Sequence, residues 1–260
     1  MCYDPEAAPP AFTPPVTGTR ARSLRLTSAD GATFAAYEAR PDDVRGAGVV
    51  VLPDVRGLHG FYKHLAVRLA EQGHPAVAID YYGRTAADDD RGEAFPIMEH
   101  VTRLGRDTIQ ADIMAAADRL GRPAVALGFC MGGRNAFLAS APRFGFAGVI
   151  GFYGAPGIAG PYGPGPTQHA AELSAPVLGL FGGADEGIPA EQVAEFGQAL
   201  AAAGVRHELV TYPGAPHGFF DAAHTAPSEH ATHTAPSGHG AHEAASADAW
   251  RRVLDFLAAV

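Results

Sequence analysis

Apolar and polar positions along the chain alternate between two periods. Residues 23–27 and 33–39 alternate with a period of two, which predicts two half-buried strands joined by a turn at Asp30-Gly31. Val49-Val50-Val51-Leu52 is apolar throughout, as a strand covered on both faces must be. From there, short apolar runs at 76–79, 124–127, 148–151, 178–181 and 207–212 alternate with helical patterns. The helices are expected over 61–72, 95–120, 131–141, 190–203 and 246–259. Strands separated by helices predict a mostly parallel, doubly wound α/β sheet with an antiparallel edge, in a single domain over 20–260.

Two segments break the pattern. Residues 1–19 carry five prolines in the first fifteen positions and read as an extended N-terminal arm. Residues 222–245 contain a near-duplication, His224-Thr-Ala-Pro-Ser-Glu-His230 and His233-Thr-Ala-Pro-Ser-Gly-His239. Their Ala, Thr, Ser, Pro, His and Gly cannot bury enough apolar surface to form a core, so the segment is expected to be a low-complexity insertion in a surface loop.

Composition narrows the class of function. With 260 residues, 47% hydrophobic and a mean hydropathy of −0.01, the chain has material for a core. It has no apolar run long enough to span a bilayer and no signal-peptide pattern, and a soluble cytoplasmic protein is expected. Nineteen basic against 28 acidic residues give a net charge of −9. That balance, without a basic cluster, argues against a nucleic-acid partner. Two cysteines cannot make a disulfide framework. Five of the twelve histidines fall within 224–242 and invite a metal-binding reading. Their spacing is loose, however, and no cofactor or specific metal site is expected.

Gly128-Phe129-Cys130-Met131-Gly132-Gly133 follows a buried strand and opens a helix. A nucleophile on such a strand-to-helix turn needs small neighbours two residues away. The helix N-terminus beside it favours a thiolate. The competing reading is a buried core cysteine. A base and an orienting acid are expected in the chain order nucleophile, acid, histidine. Asp185 and His217 each follow a strand, at the carboxyl ends where such sheets keep their sites. The predicted triad is therefore Cys130, His217 and Asp185, with an N-cap before Pro189 as the other reading of Asp185.

The chain resembles the dienelactone hydrolase family of α/β-hydrolases. The resemblance rests on Leu52–Gly57, Ala78–Arg84, the cysteine elbow Gly128–Gly133, Gly151–Gly154, Gly182–Asp185 and Pro213–Phe219, in family order over about residues 20–260. It implies a cofactor-independent hydrolase of lactones or small carboxylic esters acting through a thioester acyl-enzyme. It also implies that Asp54, where the best-known enzyme has Glu, helps to deprotonate the thiol. The bland reading of Asp54 is a cap on the turn after its strand. Elbow geometry and the same alignment make the backbone N–H groups of Val55 and Met131 the oxyanion donors. A cation gripping a substrate carboxylate is expected, with Arg84 and Arg91 as candidates, and Tyr153 is a candidate pocket wall. A small-molecule substrate is the expected partner, and a monomer is favoured. The alternatives are a metal-binding protein using the His-rich segment and a hydrolase fold that binds ligand without turnover.

Overall fold

The computed structural model describes residues 7–158, 163–221 and 239–260. Val49, Val50 and Val51 are shielded from solvent on both faces and form the centre of β3 (Gly48–Leu52). In register, Val50 lies between Val77 of β4 (Ala76–Ile79) and Ala126 of β5 (Ala124–Phe129), and all three strands are parallel. β6 (Gly148–Phe152), β7 (Val177–Gly182) and β8 (His207–Tyr212) continue the parallel sheet on the β5 side. On the other side β4 pairs antiparallel with β2 (Thr33–Pro41), and β2 antiparallel with β1 (Thr19–Thr27) at the edge. The order is β1-β2-β4-β3-β5-β6-β7-β8, so the opening hairpin does form the antiparallel edge. Its turn closes with Gly31 at φ 82° and a bond from the Ala32 N–H to Asp30 Oδ1 (3.2 Å).

Among the described residues, six α-helices accompany the sheet: α1 (Gly60–Glu71), α2 (Ile97–Val101), α3 (Arg106–Leu120), α4 (Met131–Leu138), α5 (Ala190–Ala202) and α6 (His239–Ala258). β3, β5, β6 and β7 are buried along their whole length, which requires cover on both faces. The helical pattern of 95–120 is divided. Pro96 precedes α2, and Gly105 precedes α3 in an extended conformation (ψ 144°), where a residue of low helix propensity interrupts the pattern. α4 stops three residues short of 141. Pro142 follows, and Ala141 before it is extended (ψ 142°).

The N-terminal arm lies against the body. Trp250 of α6 donates its indole N–H to Thr13 Oγ1 (3.0 Å), and Gln72 donates to the Pro14 carbonyl (3.0 Å). α6 begins at His239, so the last seven positions of the expected insertion, 239–245, are helical. Residues 222–238, including His224, His230 and His233, and the arm residue Cys2 lie outside the described residues. Among the described residues, no helix is long and apolar enough to cross a membrane.

Candidate active site

The β5-to-α4 turn puts Cys130 at φ 55°, ψ −116°, a conformation that side-chain-bearing residues rarely adopt. Its neighbours explain the glycine pattern. A Cβ at Gly128 would lie 2.0 Å from the Gly132 carbonyl oxygen, and a Cβ at Gly132 would lie 2.1 Å from that of Leu52. The turn therefore closes against both α4 and the end of β3. The Cys130 N–H bonds to the Phe152 carbonyl (2.9 Å), and its carbonyl accepts the Arg134 N–H (3.0 Å). Met131, the first residue of α4, belongs to the turn whose N–H groups have no acceptor within the helix.

β7 and β8 end side by side, with Gly182 opposite Tyr212. The loops that follow are stitched together by the Ala184 N–H to the Ala215 carbonyl (2.9 Å). This brings Asp185 and His217 together across 32 residues of chain, with His217 Nδ1 donating to Asp185 Oδ2 at 2.6 Å. Asp185 is buried, and its other oxygen accepts the Gly187 N–H (3.0 Å). It does not cap α5, whose N-cap is Pro189. The imidazole is also hydrogen-bonded to the Cys130 thiol. Burial works against charging His217, but the hydrogen bonds to Asp185 and Cys130 and their negative charges outweigh it and raise its pKa to about 9. By the same attraction a charged imidazole favours the thiolate. The structure thus brings Cys130, His217 and Asp185 into one hydrogen-bonded chain.

A cavity of about 170 Å³ opens at this chain. Val55, Met131 and Arg134 line it on the side of β3 and α4, and Tyr153, Ala155 and Ile188 line it from the loops after β6 and β7. Tyr153 is fully buried at φ 37°, with its ring 4.8 Å from that of His217. Val55 is held by Tyr82, whose hydroxyl donates to its carbonyl (2.5 Å).

Asp54 is buried and caps the turn after β3, where Oδ1 accepts the Arg56 N–H (2.8 Å) and lies 3.8 Å from His59 Nε2. It is not among the residues lining the cavity. Tyr81 nearby donates to the Pro53 carbonyl (2.9 Å). Burial first, then the negative charges of Asp54, Asp80 and Cys130 among others, keep Tyr81 neutral well above its usual range.

The two candidate cations do not line the cavity. Arg84 donates to both oxygens of Asp112 (2.7 and 2.5 Å) and both of Asp30 (2.9 and 2.8 Å). Arg91 is fully buried, paired with Asp80 (3.0 and 2.9 Å), with its guanidinium 4.4 Å from the centre of the Phe95 ring. Asp80 also accepts the N–H groups of Leu58 (3.1 Å) and Tyr82 (3.0 Å), so this pair shapes the loops that carry Val55 and Tyr82. Carboxylates closer by in three dimensions captured both arginines.

The sequence pattern did not single out Arg134. It donates to the carbonyls of Ala155 (2.9 Å), Gly157 (2.5 Å) and Gly163 (2.8 Å), holding the loop after β6 against the elbow helix. A lone cation one turn after Cys130, on a helix with no other charged residue, was the available signal. Among the described residues no group of three or more His, Cys, Asp or Glu could hold a metal. His242 of α6 instead touches the Gly214 carbonyl (3.3 Å) in the loop before His217.

The model of the dienelactone hydrolase family matches residues 34–260. The chain belongs to that family. Over 263 residues it is 32% identical to a carboxymethylenebutenolidase of Rhodococcus opacus, covering 98% of this chain and 96% of the relative. A Salmonella typhimurium protein provisionally named carboxymethylenebutenolidase is 32% identical over 271 residues, 98% of this chain and 94% of the relative. Among solved structures, a Klebsiella pneumoniae protein provisionally described as a dienelactone hydrolase superposes with a TM-score of 0.72 at 29% identity. That match covers 92% of this chain and 99% of the other.

Proposed function

We propose that this dienelactone hydrolase family member hydrolyses lactones or small carboxylic esters through Cys130. The hydrogen-bonded chain Asp185–His217–Cys130 at the mouth of the cavity is the observation that carries the proposal. The Cys130 thiolate attacks the carbonyl carbon, a C–S bond forms, and the carbonyl electrons move to oxygen. The backbone N–H groups of Val55 and Met131, which flank Cys130 in the cavity, are assigned to that oxyanion. Collapse breaks the ester C–O bond, and protonated His217 delivers its proton to the leaving oxygen. In a lactone that oxygen stays tethered to the acyl group. Neutral His217 then takes a proton from water, which attacks the thioester and releases the acid and the thiolate. Asp185 orients the ring throughout.

The names of the relatives support a lactone or ester substrate. Asp54 is assigned a secondary part. Buried on the turn after β3, it holds the Val55 loop in shape through the Arg56 N–H. Tyr153 is assigned to the pocket wall.

Hydrolysis of p-nitrophenyl acetate and of a small lactone tests the proposal. Cys130→Ala is expected to lower kcat/KM by about 10³-fold or more. Iodoacetamide should inactivate the wild type in step with alkylation of Cys130. Equal rates for the wild type and Cys130→Ala would sink the mechanism.

A further inference from the structure

Among the described residues, the lining of the cavity at Cys130 offers a substrate little besides apolar surface. Val55, Met131, Tyr153, Ala155 and Ile188 make most of its wall. At about 170 Å³ it is smaller than the roughly 300–1,000 Å³ of sites for drug-sized ligands. An anionic substrate group in such a place loses its water and needs a cation with N–H groups to give.

The arginines and the lysine of this chain can be accounted for one by one, and the charged imidazole of His217 is already paired with Asp185 and Cys130. All 18 arginines and the single lysine, Lys63, fall within the described residues. Arg84 is shared by two carboxylates and Arg91 is held by Asp80, both away from the cavity wall. Arg134 alone among them lines the cavity. It is 6% exposed, and Nη1 donates to the Ala155 and Gly157 carbonyls while Nη2 donates to that of Gly163. Turning that guanidinium toward a ligand would release the loop that forms the cavity wall. The net charge of −9 adds a field that repels anions on approach.

From this placement we infer that the site takes esters and lactones with an uncharged acyl group, and selects against substrates that carry a second, free carboxylate. The inference rests on the proposed cysteine hydrolase mechanism and names its substrate class. Arg134 is then a positioning residue for the cavity wall.

The test compares two esters that differ only at the acyl terminus, p-nitrophenyl butyrate and mono-p-nitrophenyl succinate, with Cys130→Ala as the background. The expected result is a kcat/KM for the butyrate at least about tenfold higher, carried mainly by KM. The preference should persist at high salt, because it comes from desolvation inside the cavity and not from the screened outer field. Equal or faster hydrolysis of the succinate overturns the inference and leaves the hydrolase reading standing. If wild type of native circular dichroism turns over neither ester faster than Cys130→Ala, the hydrolase reading fails and the inference falls with it.

Discussion

Cys130 and His217 act as one unit in the proposed chemistry, and Asp185 determines how long that unit stays charged. His217 is unprotonated above about pH 6.5 in an unfolded chain, but holds its proton up to about 9 in the folded one. Its favourable contribution to folding is therefore complete below pH 6.5 and is lost as pH rises through 9. Asp185→Asn removes the charge that sustains this while keeping the shape. We expect kcat to fall by about 10²–10⁴-fold and the alkaline limb of activity to move to lower pH, measured as a pH–rate profile of ester hydrolysis. At this scale the grouping of Cys130, Asp185 and His217 was legible in the sequence, because each of the three follows a strand in a fixed chain order. The partners of Arg84 were not. Asp112 and Asp30 lie 28 and 54 residues away, and no local pattern encodes such pairings.

The elbow is the element on which the site depends. β5 must turn into α4 within van der Waals contact of the end of β3, and only glycine permits this at 132. Gly132→Ala places a methyl carbon 2.1 Å from the Leu52 oxygen and 2.4 Å from that of Pro53. It is expected to cost about 3 kcal/mol or more. Gly204→Ala, at φ 71° with open space around it, should cost about 1 kcal/mol through backbone strain alone. Urea unfolding midpoints of the two variants check the contrast. Strand and helix order was legible from periodicity, and the boundaries at 105 and 141 were less so. There a helical pattern continues past a glycine or up to a proline, and backbone geometry decides where it breaks.

Across the whole molecule, one buried carboxylate ties the two antiparallel edge strands to α3. Glu38 of β2 receives Arg22 of β1, Arg40 of its own strand and Arg119 of α3. Burial alone would raise its pKa, but the hydrogen bonds from Arg119 and Arg40 overcome it and hold the carboxyl at about 2. The stabilisation is complete above about pH 4.5 and is lost as pH falls toward 2. Glu38→Gln should lower the unfolding free energy by about 2–3 kcal/mol at neutral pH, allowing for the exposure of the arginines. In denaturant titrations the gap should close between pH 4.5 and 2. The linear sequence by itself determined the doubly wound sheet, its antiparallel edge and the placement of Cys130, Asp185 and His217 after β5, β7 and β8, because burial periodicity and glycine spacing are local properties. Tertiary structure alone decided that Arg84 and Arg91 serve the framework, that Arg134 braces the cavity wall, and that the proline-rich arm is tied to α6 and to the end of α1. The physical reason is reach: a long polar side chain takes the best partner within a few ångströms in space, and that partner can come from anywhere in the chain.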